Sequence, residues 1–141
     1  MFSKVSIKLD AGAKMPTRAH AWDAGLDIYA REEQVVPARG SRKFDTGVHV
    51  ELPIGTAGFL KSKSGLNVNH GITSEGVIDA GYTGSIVVKL YNNSDCDYTV
   101  NAGDKISQLV ILPICTPEPF LFEGDFEETE RGDGGFGSTG R

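Results

Sequence analysis

The sequence is poor in cysteine, in net positive charge and in long apolar runs, and each shortage argues against a class of protein. Its two cysteines, Cys96 and Cys115, form no C-x-x-C pair, so we interpret them as free thiols in a reducing compartment and expect neither a disulfide framework nor a metal site. The net charge of −5 argues against a nucleic-acid partner, which normally needs a basic surface. Because no run approaches the ~20 apolar residues of a membrane helix, we expect no membrane partner.

Glycine and short alternating segments are abundant instead. The 141 residues suit one domain, and the 18 glycines and six prolines indicate many turns. Apolar and polar residues alternate at 5–9, 48–52 and 86–91, which predicts strands, and the longer apolar run at 106–114 predicts a strand that is buried on both faces. Many short strands separated by turns are typical of an all-β sandwich, barrel or jelly roll.

Only the segment 65–70 has the signals of a helix. Ser64 is a suitable N-cap and Gly71 a suitable C-terminal stop. A helix N-terminus that follows Lys61 and Lys63 is also suited to bind a phosphate group. Plain capping by Ser64 explains the same residues equally well, so this segment alone leaves both interpretations open.

The segment 76–84, GVIDAGYTG, carries the first candidate site residues. Two apolar residues lead into Asp79, and a glycine turn then leads into Tyr82. The pattern predicts a β-hairpin that presents a carboxylate and an aromatic ring at its rim. Taken alone, it could equally be a turn in which Asp79 bonds to nearby backbone.

The last eleven residues, RGDGGFGSTGR, combine five glycines with Arg131, Phe136, Ser138 and Thr139. One aromatic residue among so many glycines cannot bury enough apolar surface to order the segment. Its groups nevertheless suit a nucleotide, because glycine N–H groups can approach phosphate oxygens, Arg131 is a forked cation and Phe136 offers a face for stacking. We expect a flexible tail that closes over a nucleotide; the alternative is a disordered solubilising tail.

Five blocks of the sequence resemble, in the same order, the motifs of the trimeric deoxyuridine triphosphate nucleotidohydrolases, the dUTPases. They are AGLDIYA at 24–30, KSGL at 63–66, GVIDAGYTG at 76–84, GDKISQL at 103–109 and RGDGGFGSTG at 131–140. The resemblance implies an all-β, dUTPase-type jelly-roll or β-clip barrel with one short helix, assembled as a homotrimer with active sites at subunit interfaces. It also implies a β-barrel domain over 1–126 and a flexible Gly-rich active-site lid over 127–141.

The same resemblance implies hydrolysis of dUTP to dUMP and pyrophosphate, with Mg²⁺ as the cofactor. This reaction limits uracil incorporation into DNA and supplies dUMP for dTMP synthesis. Two alternatives stay open: a dCTP deaminase-related enzyme, and a dUTPase-like regulatory module whose tail is a nucleotide-gated switch for partner proteins. The expected location is the cytoplasm, or the host cell's cytoplasm or nucleus if the source is viral.

The resemblance also assigns roles to individual residues. Asp79 resembles the general base that activates water for attack on the α-phosphorus. Tyr82 resembles the residue under the deoxyribose, where its ring leaves no room for a 2′-hydroxyl. Asp27 resembles an aspartate that acts on the metal indirectly, mainly through the triphosphate and water, and the backbone of 74–78 is expected to read uracil. The implied substrate contacts are Lys63, Ser64, Gly65, Ser74, Gly76, Ile78, Tyr82, Gln108, Arg131, Phe136, Gly137, Ser138 and Thr139.

Five positions depart from the family pattern. Ser62, Lys63 and Asn67 stand where proline, arginine and alanine are usual. Because lysine lacks the planar fork of arginine, we expect either a weakened triphosphate grip at Lys63 or an ion pair between subunits. We interpret Ser107, in place of a common alanine, as neutral, and Trp22, in place of a small residue, as packing at a rim or interface.

The remaining charged and titratable residues carry weaker signals. His20, His49 and His70 share no metal-site spacing, so we interpret them as surface or strand-face residues. The acidic run at 123–130 is interpreted as a solvated linker to the tail.

Overall fold

The computed structural model describes residues 4–140. Within that range the chain forms ten β-strands and one short helix. The strands are β1 (Ser6–Leu9), β2 (Gly25–Tyr29), β3 (Gln34–Val36), β4 (Ser41–Asp45), β5 (Val48–Glu51), β6 (Thr56–Lys61), β7 (Ile72–Asp79), β8 (Val87–Asn92), β9 (Tyr98–Val100) and β10 (Lys105–Pro113). The helix α1 (Ser64–His70) lies between β6 and β7.

Six strands form one antiparallel sheet in the order β2-β10-β6-β7-β8-β4. The pairs β1-β5 and β3-β9 form two further antiparallel sheets. The alternating segments at 5–9, 48–52 and 86–91 lie in β1, β5 and β8, as predicted. The prediction of an all-β fold with one short helix is therefore confirmed.

One hydrophobic cluster joins the sheets. Phe44 of β4, Ile28 of β2, Leu90 of β8 and Leu109 of β10 are almost completely buried in it. Burial of side chains of this size stabilises a fold by about 1.5–3 kcal/mol each. No buried side-chain polar atom in the described range lacks a hydrogen-bond partner, so the polar groups that enter the interior are held in defined positions.

The prediction that 106–114 is buried on both faces is correct only for the first part of the segment. Ile106 and Leu109 are buried, whereas Leu112 is 46% exposed and Ile114 is 38% exposed. The difference arises because β2 pairs with β10 only as far as Val110. Beyond that residue, β10 has β6 as its one strand partner within the described chain.

Helix α1 begins at a different residue from the one predicted. Lys63 is the N-cap, with φ −73° and ψ 128°, and no side chain caps the helix. The prediction of Ser64 as the N-cap is therefore wrong, since Ser64 is already helical. Gly71 ends the helix as predicted, because its φ of 68° lies in the left-handed region that glycine adopts at low cost.

Two further expectations concern the outer surface. Cys96 and Cys115 are both exposed and unbonded, in agreement with the interpretation as free thiols. Within residues 4–140, no helix has the length and apolar character that crossing a membrane requires.

Candidate active site

Asp79 and Tyr82 lie in one tight turn at the end of β7. Asp79 is the last residue of the strand and is exposed. Its backbone oxygen accepts a hydrogen bond from the Tyr82 N–H at 3.0 Å, and the Tyr82 hydroxyl donates to the Ser85 backbone oxygen at 2.7 Å. Among the described residues, no side chain bonds to the Asp79 carboxylate, so the turn carries a free, exposed carboxylate and a tyrosine whose N–H and hydroxyl are both hydrogen-bonded.

Gly84 allows the Tyr82 ring to fold back over the turn. A Cβ atom at this glycine would lie 2.6 Å from the Tyr82 hydroxyl oxygen and 2.7 Å from Cζ. Both distances are shorter than any real van der Waals contact of a Cβ atom, so another residue at position 84 would displace the ring. The neighbouring Gly81 has no atom within 4 Å of such a Cβ.

One edge of β7 has no strand partner beside this turn. β7 pairs with β6 as far as Asp79, but it pairs with β8 only at Ile72, Thr73 and Ser74. Within the described chain, the outer edge of 75–79 therefore carries backbone groups that no other strand bonds. Such an edge can bond a planar ligand in the way that it would bond another strand.

The residues of the first, second and fourth blocks meet at the opposite end of the β6–β7 ladder. Asp79 pairs with Ala57 at one end and Glu75 pairs with Lys61 at the other, four residue steps away. This separation is about 13 Å at ~3.3 Å per residue. Helix α1 joins the Lys61 end of β6 to the start of β7, so the loop with Lys63 lies far from Asp79 in the same chain.

A buried carboxylate organises this second group. The Asp27 side chain is 6% exposed; its Oδ1 lies 2.5 Å from Lys63 Nζ and its Oδ2 lies 3.1 Å from Lys105 Nζ. Burial alone would raise the pKa of Asp27, but the hydrogen bonds and charges of the two lysines outweigh it and hold the pKa below its ordinary value. The same contact raises the pKa of Lys105.

Gln108 lies beside this cluster. It pairs with Asp27 on β2 and with Lys61 on β6, and its Nε2 donates to the Ser62 backbone oxygen at 3.0 Å. Gly25 leaves room for its side chain, because a Cβ there would lie 2.3 Å from Gln108 Oε1 and 2.9 Å from Gln108 Cβ. The strand pairing thus brings three blocks that are distant in sequence to one place.

The tail bonds only to itself among the described residues. Arg131 Nε donates to the Gly134 backbone oxygen at 2.8 Å, and the Gly132 N–H donates to Thr129 Oγ1 at 2.9 Å. Phe136 is fully exposed and has a φ of +51°, which is unusual for a residue other than glycine. The tail residues are therefore not positioned against either group of site residues in this structure.

The family model described as dUTPase matches residues 11–140. The chain belongs to the dUTPase family. Among curated relatives, the deoxyuridine 5'-triphosphate nucleotidohydrolase of Kluyveromyces lactis is 43% identical over 139 residues, which are 98% of this chain and 93% of the relative. The corresponding protein of Saccharomyces cerevisiae is 40% identical over 131 residues, which are 92% of this chain and 89% of the relative.

Solved dUTPase structures have the same fold. A mutant dUTPase of Staphylococcus bacteriophage 80alpha with dUpNHpp has a TM-score of 0.92 at 31% identity, covering 99% of this chain and 100% of that one. A mutant dUTPase from phage phi11 of S. aureus, described with a structural Mg(II) ion, has a TM-score of 0.81 at 32% identity, covering 86% of this chain and 97% of that one.

The described part of this dUTPase-family chain does not provide a resident metal site. Residues 4–140 contain no group of three or more histidine, cysteine, aspartate or glutamate side chains that could hold an ion. Asp27, the one residue expected near a metal, has both carboxylate oxygens engaged by Lys63 and Lys105. With both carboxylate oxygens on lysines, Asp27 fits an indirect contact to a metal better than direct ligation.

A hydroxyl network at the start of β7 was not anticipated from the sequence. Ser62 Oγ accepts the Ser74 N–H at 3.0 Å and donates to the Ser74 backbone oxygen at 3.2 Å. The Ser74 and Ser107 hydroxyls lie 2.8 Å apart, and Ser107 donates to the Lys61 backbone oxygen. Two of these serines, Ser62 and Ser107, are among the departures from the family pattern, and that shared status was the one signal in the sequence that they act together.

Proposed function

We propose that this chain hydrolyses dUTP to dUMP and pyrophosphate by water attack on the α-phosphorus. The observation that carries the proposal is the turn of a dUTPase-family chain that holds both the free Asp79 carboxylate and the hydrogen-bonded Tyr82. An ionised carboxylate only accepts hydrogen bonds, so Asp79 can orient a water molecule and take its proton. Positioning and charge neutralisation supply most of the catalysis in phosphoryl chemistry.

Selection of the nucleoside follows from the same turn and strand. The Tyr82 ring packs under the sugar and leaves no space for a 2′-hydroxyl, while the open edge of 75–79 bonds the uracil through its backbone. Gly76 and Ile78 contribute backbone here, since the Ile78 side chain is buried in the core. The Ser74 N–H donates to Ser62 Oγ. Ser74 is the last residue of β7 that pairs with β8, so the open edge begins after it.

The triphosphate binds at the loop before α1. Ser64 and Gly65 are exposed, and Lys63 and Gln108 flank them. Because Lys63 already neutralises Asp27, a triphosphate must compete with that carboxylate for the lysine, and we infer a weaker grip than a free arginine would give. Mg²⁺ enters with the triphosphate as part of the substrate and offsets its charge.

We infer that the active site is completed between subunits of a homotrimer. The Asp79 turn and the Lys63 loop lie at opposite ends of one ladder, and in this proposal a second chain supplies one of them to each site. Exposed apolar side chains support association, since Phe120, Leu121 and Phe126 are each at least 80% exposed. Large exposed apolar patches of this kind mark interaction sites.

The tail supplies the remaining contacts when the nucleotide is bound. In this proposal Arg131 reaches the triphosphate, Phe136 stacks on the uracil, and Gly137, Ser138 and Thr139 bond the phosphates. Closure excludes bulk water and strengthens the electrostatic contacts inside. The exposed thiols of Cys96 and Cys115 favour a reducing compartment, so we place the reaction in the cytoplasm.

The test is product analysis on dUTP, dTTP, dCTP and UTP, with and without Mg²⁺. The proposal predicts dUMP and pyrophosphate from dUTP, with stimulation by Mg²⁺ and little turnover of the other three nucleotides. Ammonia released from dCTP would support the deaminase alternative. Binding of dUTP without any turnover would overturn the proposal in favour of a regulatory module.

A further inference from the structure

The His49 imidazole links the Tyr82 turn to the rest of the fold. His49 lies in β5, and its Nδ1 is 2.8 Å from the backbone oxygen of Thr83, the residue that follows Tyr82. Its side chain is 27% exposed. The contact therefore joins two segments that are 34 residues apart in sequence.

The second nitrogen of this ring faces a carboxylate. Nε2 of His49 lies 3.1 Å from both Oδ1 and Oδ2 of Asp10. A backbone oxygen and an ionised carboxylate can only accept, so both ring nitrogens must donate to satisfy both contacts. Only the protonated imidazolium carries two N–H donors, and the geometry therefore selects the charged form of His49.

The tip of the turn has no other hydrogen bond to the body of the described chain. The Tyr82 N–H and hydroxyl bond to Asp79 and Ser85, within the turn. The far end is fixed separately, because the Ser85 hydroxyl bonds to Asp45 and accepts the Gly47 N–H at 3.0 Å. Among the described residues, His49 thus makes the one hydrogen bond that joins the tip of the turn, 80–84, to a strand other than β7.

We propose that His49, oriented by Asp10, is a positioning residue that fixes the Thr83 carbonyl and so holds the Tyr82 ring where it excludes a 2′-hydroxyl. This rests on the proposed function, since it takes Tyr82 as the residue that contacts the sugar. Its consequence is a change in the discrimination between dUTP and UTP. A residue that supported the fold alone would leave that ratio unchanged.

Several charged groups surround the imidazole. Lys8 lies opposite His49 in the β1–β5 pairing, Arg31 Nη1 is 4.0 Å from Asp10 Oδ2, and Glu51 lies two residues further along β5. The Thr83 carbonyl and Asp10 raise the pKa of His49, with a smaller contribution from Asp45 and against the opposing effect of burial. The imidazolium is therefore favoured to a higher pH than in an isolated histidine.

The test compares the kcat/KM values for dUTP and UTP in two variants. In His49→Asn the amide nitrogen replaces Nδ1 and still donates to Thr83, whereas in His49→Gln it replaces Nε2 and donates to Asp10. We expect His49→Gln to lower the dUTP/UTP ratio about tenfold, near the upper end of what one hydrogen bond contributes, and His49→Asn to stay within about threefold of the wild type. His20→Asn is the matched control, because His20 also pairs with an aspartate, Asp23, but in a distant exposed loop.

A wild-type ratio in His49→Gln, or an equal loss in His49→Asn, would overturn the inference. A wild-type enzyme that hydrolyses neither nucleotide would overturn the proposed function instead. If His49→Gln does not fold, the ratio of the wild type is followed against pH. It should fall as the pH rises through the raised pKa of His49, because the one proton left on the neutral ring is held at Nε2 by the Asp10 carboxylate and Nδ1 no longer donates to Thr83. The fall should come at a lower pH in Asp10→Asn; a ratio that does not change with pH contradicts the proposal.

Discussion

At the scale of single residues, the sequence predicted candidate ligand-contacting groups but not the glycines that make room for them. Asp79 and Tyr82 were predicted as site residues because they stand three residues apart in one local motif. Gly25 and Gly84 were missed, although each clears space for a predicted site residue. Their role depends on where Gln108 and Tyr82 fold back, and a sequence pattern does not contain that information.

Replacement of the base tests the role of Asp79. We expect Asp79→Asn to lower kcat for dUTP by on the order of 10²–10⁴ because the amide cannot take the proton of the water. Nucleotide affinity, measured by titration calorimetry with a non-hydrolysable analogue, should change little. Asp95→Asn is the matched control, since that exposed carboxylate pairs with Arg39 on the surface; equal losses of affinity and rate in Asp79→Asn would make Asp79 structural.

The turn glycines offer a pair of variants that differ only in the space available. Gly84→Ala must displace the Tyr82 ring, whereas Gly81→Ala places its Cβ in an open region. We expect Gly84→Ala to raise KM for dUTP about tenfold, the contribution of a well-packed aromatic contact, and Gly81→Ala to leave KM nearly unchanged. Similar steady-state constants for the two variants would contradict the position given to Tyr82.

The lysine pair makes the stability contribution of Asp27 depend on pH. Because the folded pKa of Asp27 is lowered, its contribution is complete above the unfolded value near 3.8 and is lost as the pH falls through the folded pKa. Asp27→Asn should therefore lower Tm by roughly 5 °C at neutral pH. The difference in Tm between the wild type and the variant should become smaller below pH 3.8. Calorimetric melting of both proteins across this range measures it, and a pH-independent difference would show that the ion pairs do not stabilise the fold.

At the scale of elements, local patterns predicted the strands and the end of the helix but not their partners. The alternation that gave β1, β5 and β8 is a property of each segment alone. The β2-β10-β6 order, which places Gln108 beside Asp27, depends on pairing between distant segments. The helix N-cap was assigned to Ser64 on residue preference, yet Lys63 occupies it with an extended backbone and Ser64 is already helical.

The tail is an element whose role can be separated from the fold. Its hydrogen bonds in the described range are internal, so deletion of 131–141 should leave Tm unchanged. We expect kcat/KM for dUTP to fall by on the order of 10², because Arg131 and the water-excluding closure are lost. Arg131→Ala tests the cation by itself, and a truncated protein with full kcat/KM would exclude the lid.

At the scale of the whole molecule, the two groups of candidate site residues lie apart within one chain. Asp79 lies at one end of the β6–β7 ladder and the Lys63 loop lies at the other. The resemblance to the dUTPases implied a homotrimer, and the separation of the two ends gives that expectation a physical reason. Neither composition nor periodicity could have predicted this separation, since Lys63 and Asp79 lie in one short stretch of sequence.

Mixing of two inactive variants tests the shared site most directly. Asp79→Asn and Ser64→Ala are each assayed alone, then unfolded together in equal amounts and refolded. Suppose that each site takes Ser64 from one chain and Asp79 from another. In random homo-oligomers, the chain that supplies Ser64 is intact there in half of the sites, and the chain that supplies Asp79 is intact there in half of them. Roughly a quarter of the sites therefore have both residues and regain full activity. Activity near a quarter of the wild type is the predicted result; activity no higher than that of the separate variants would contradict a site built between subunits.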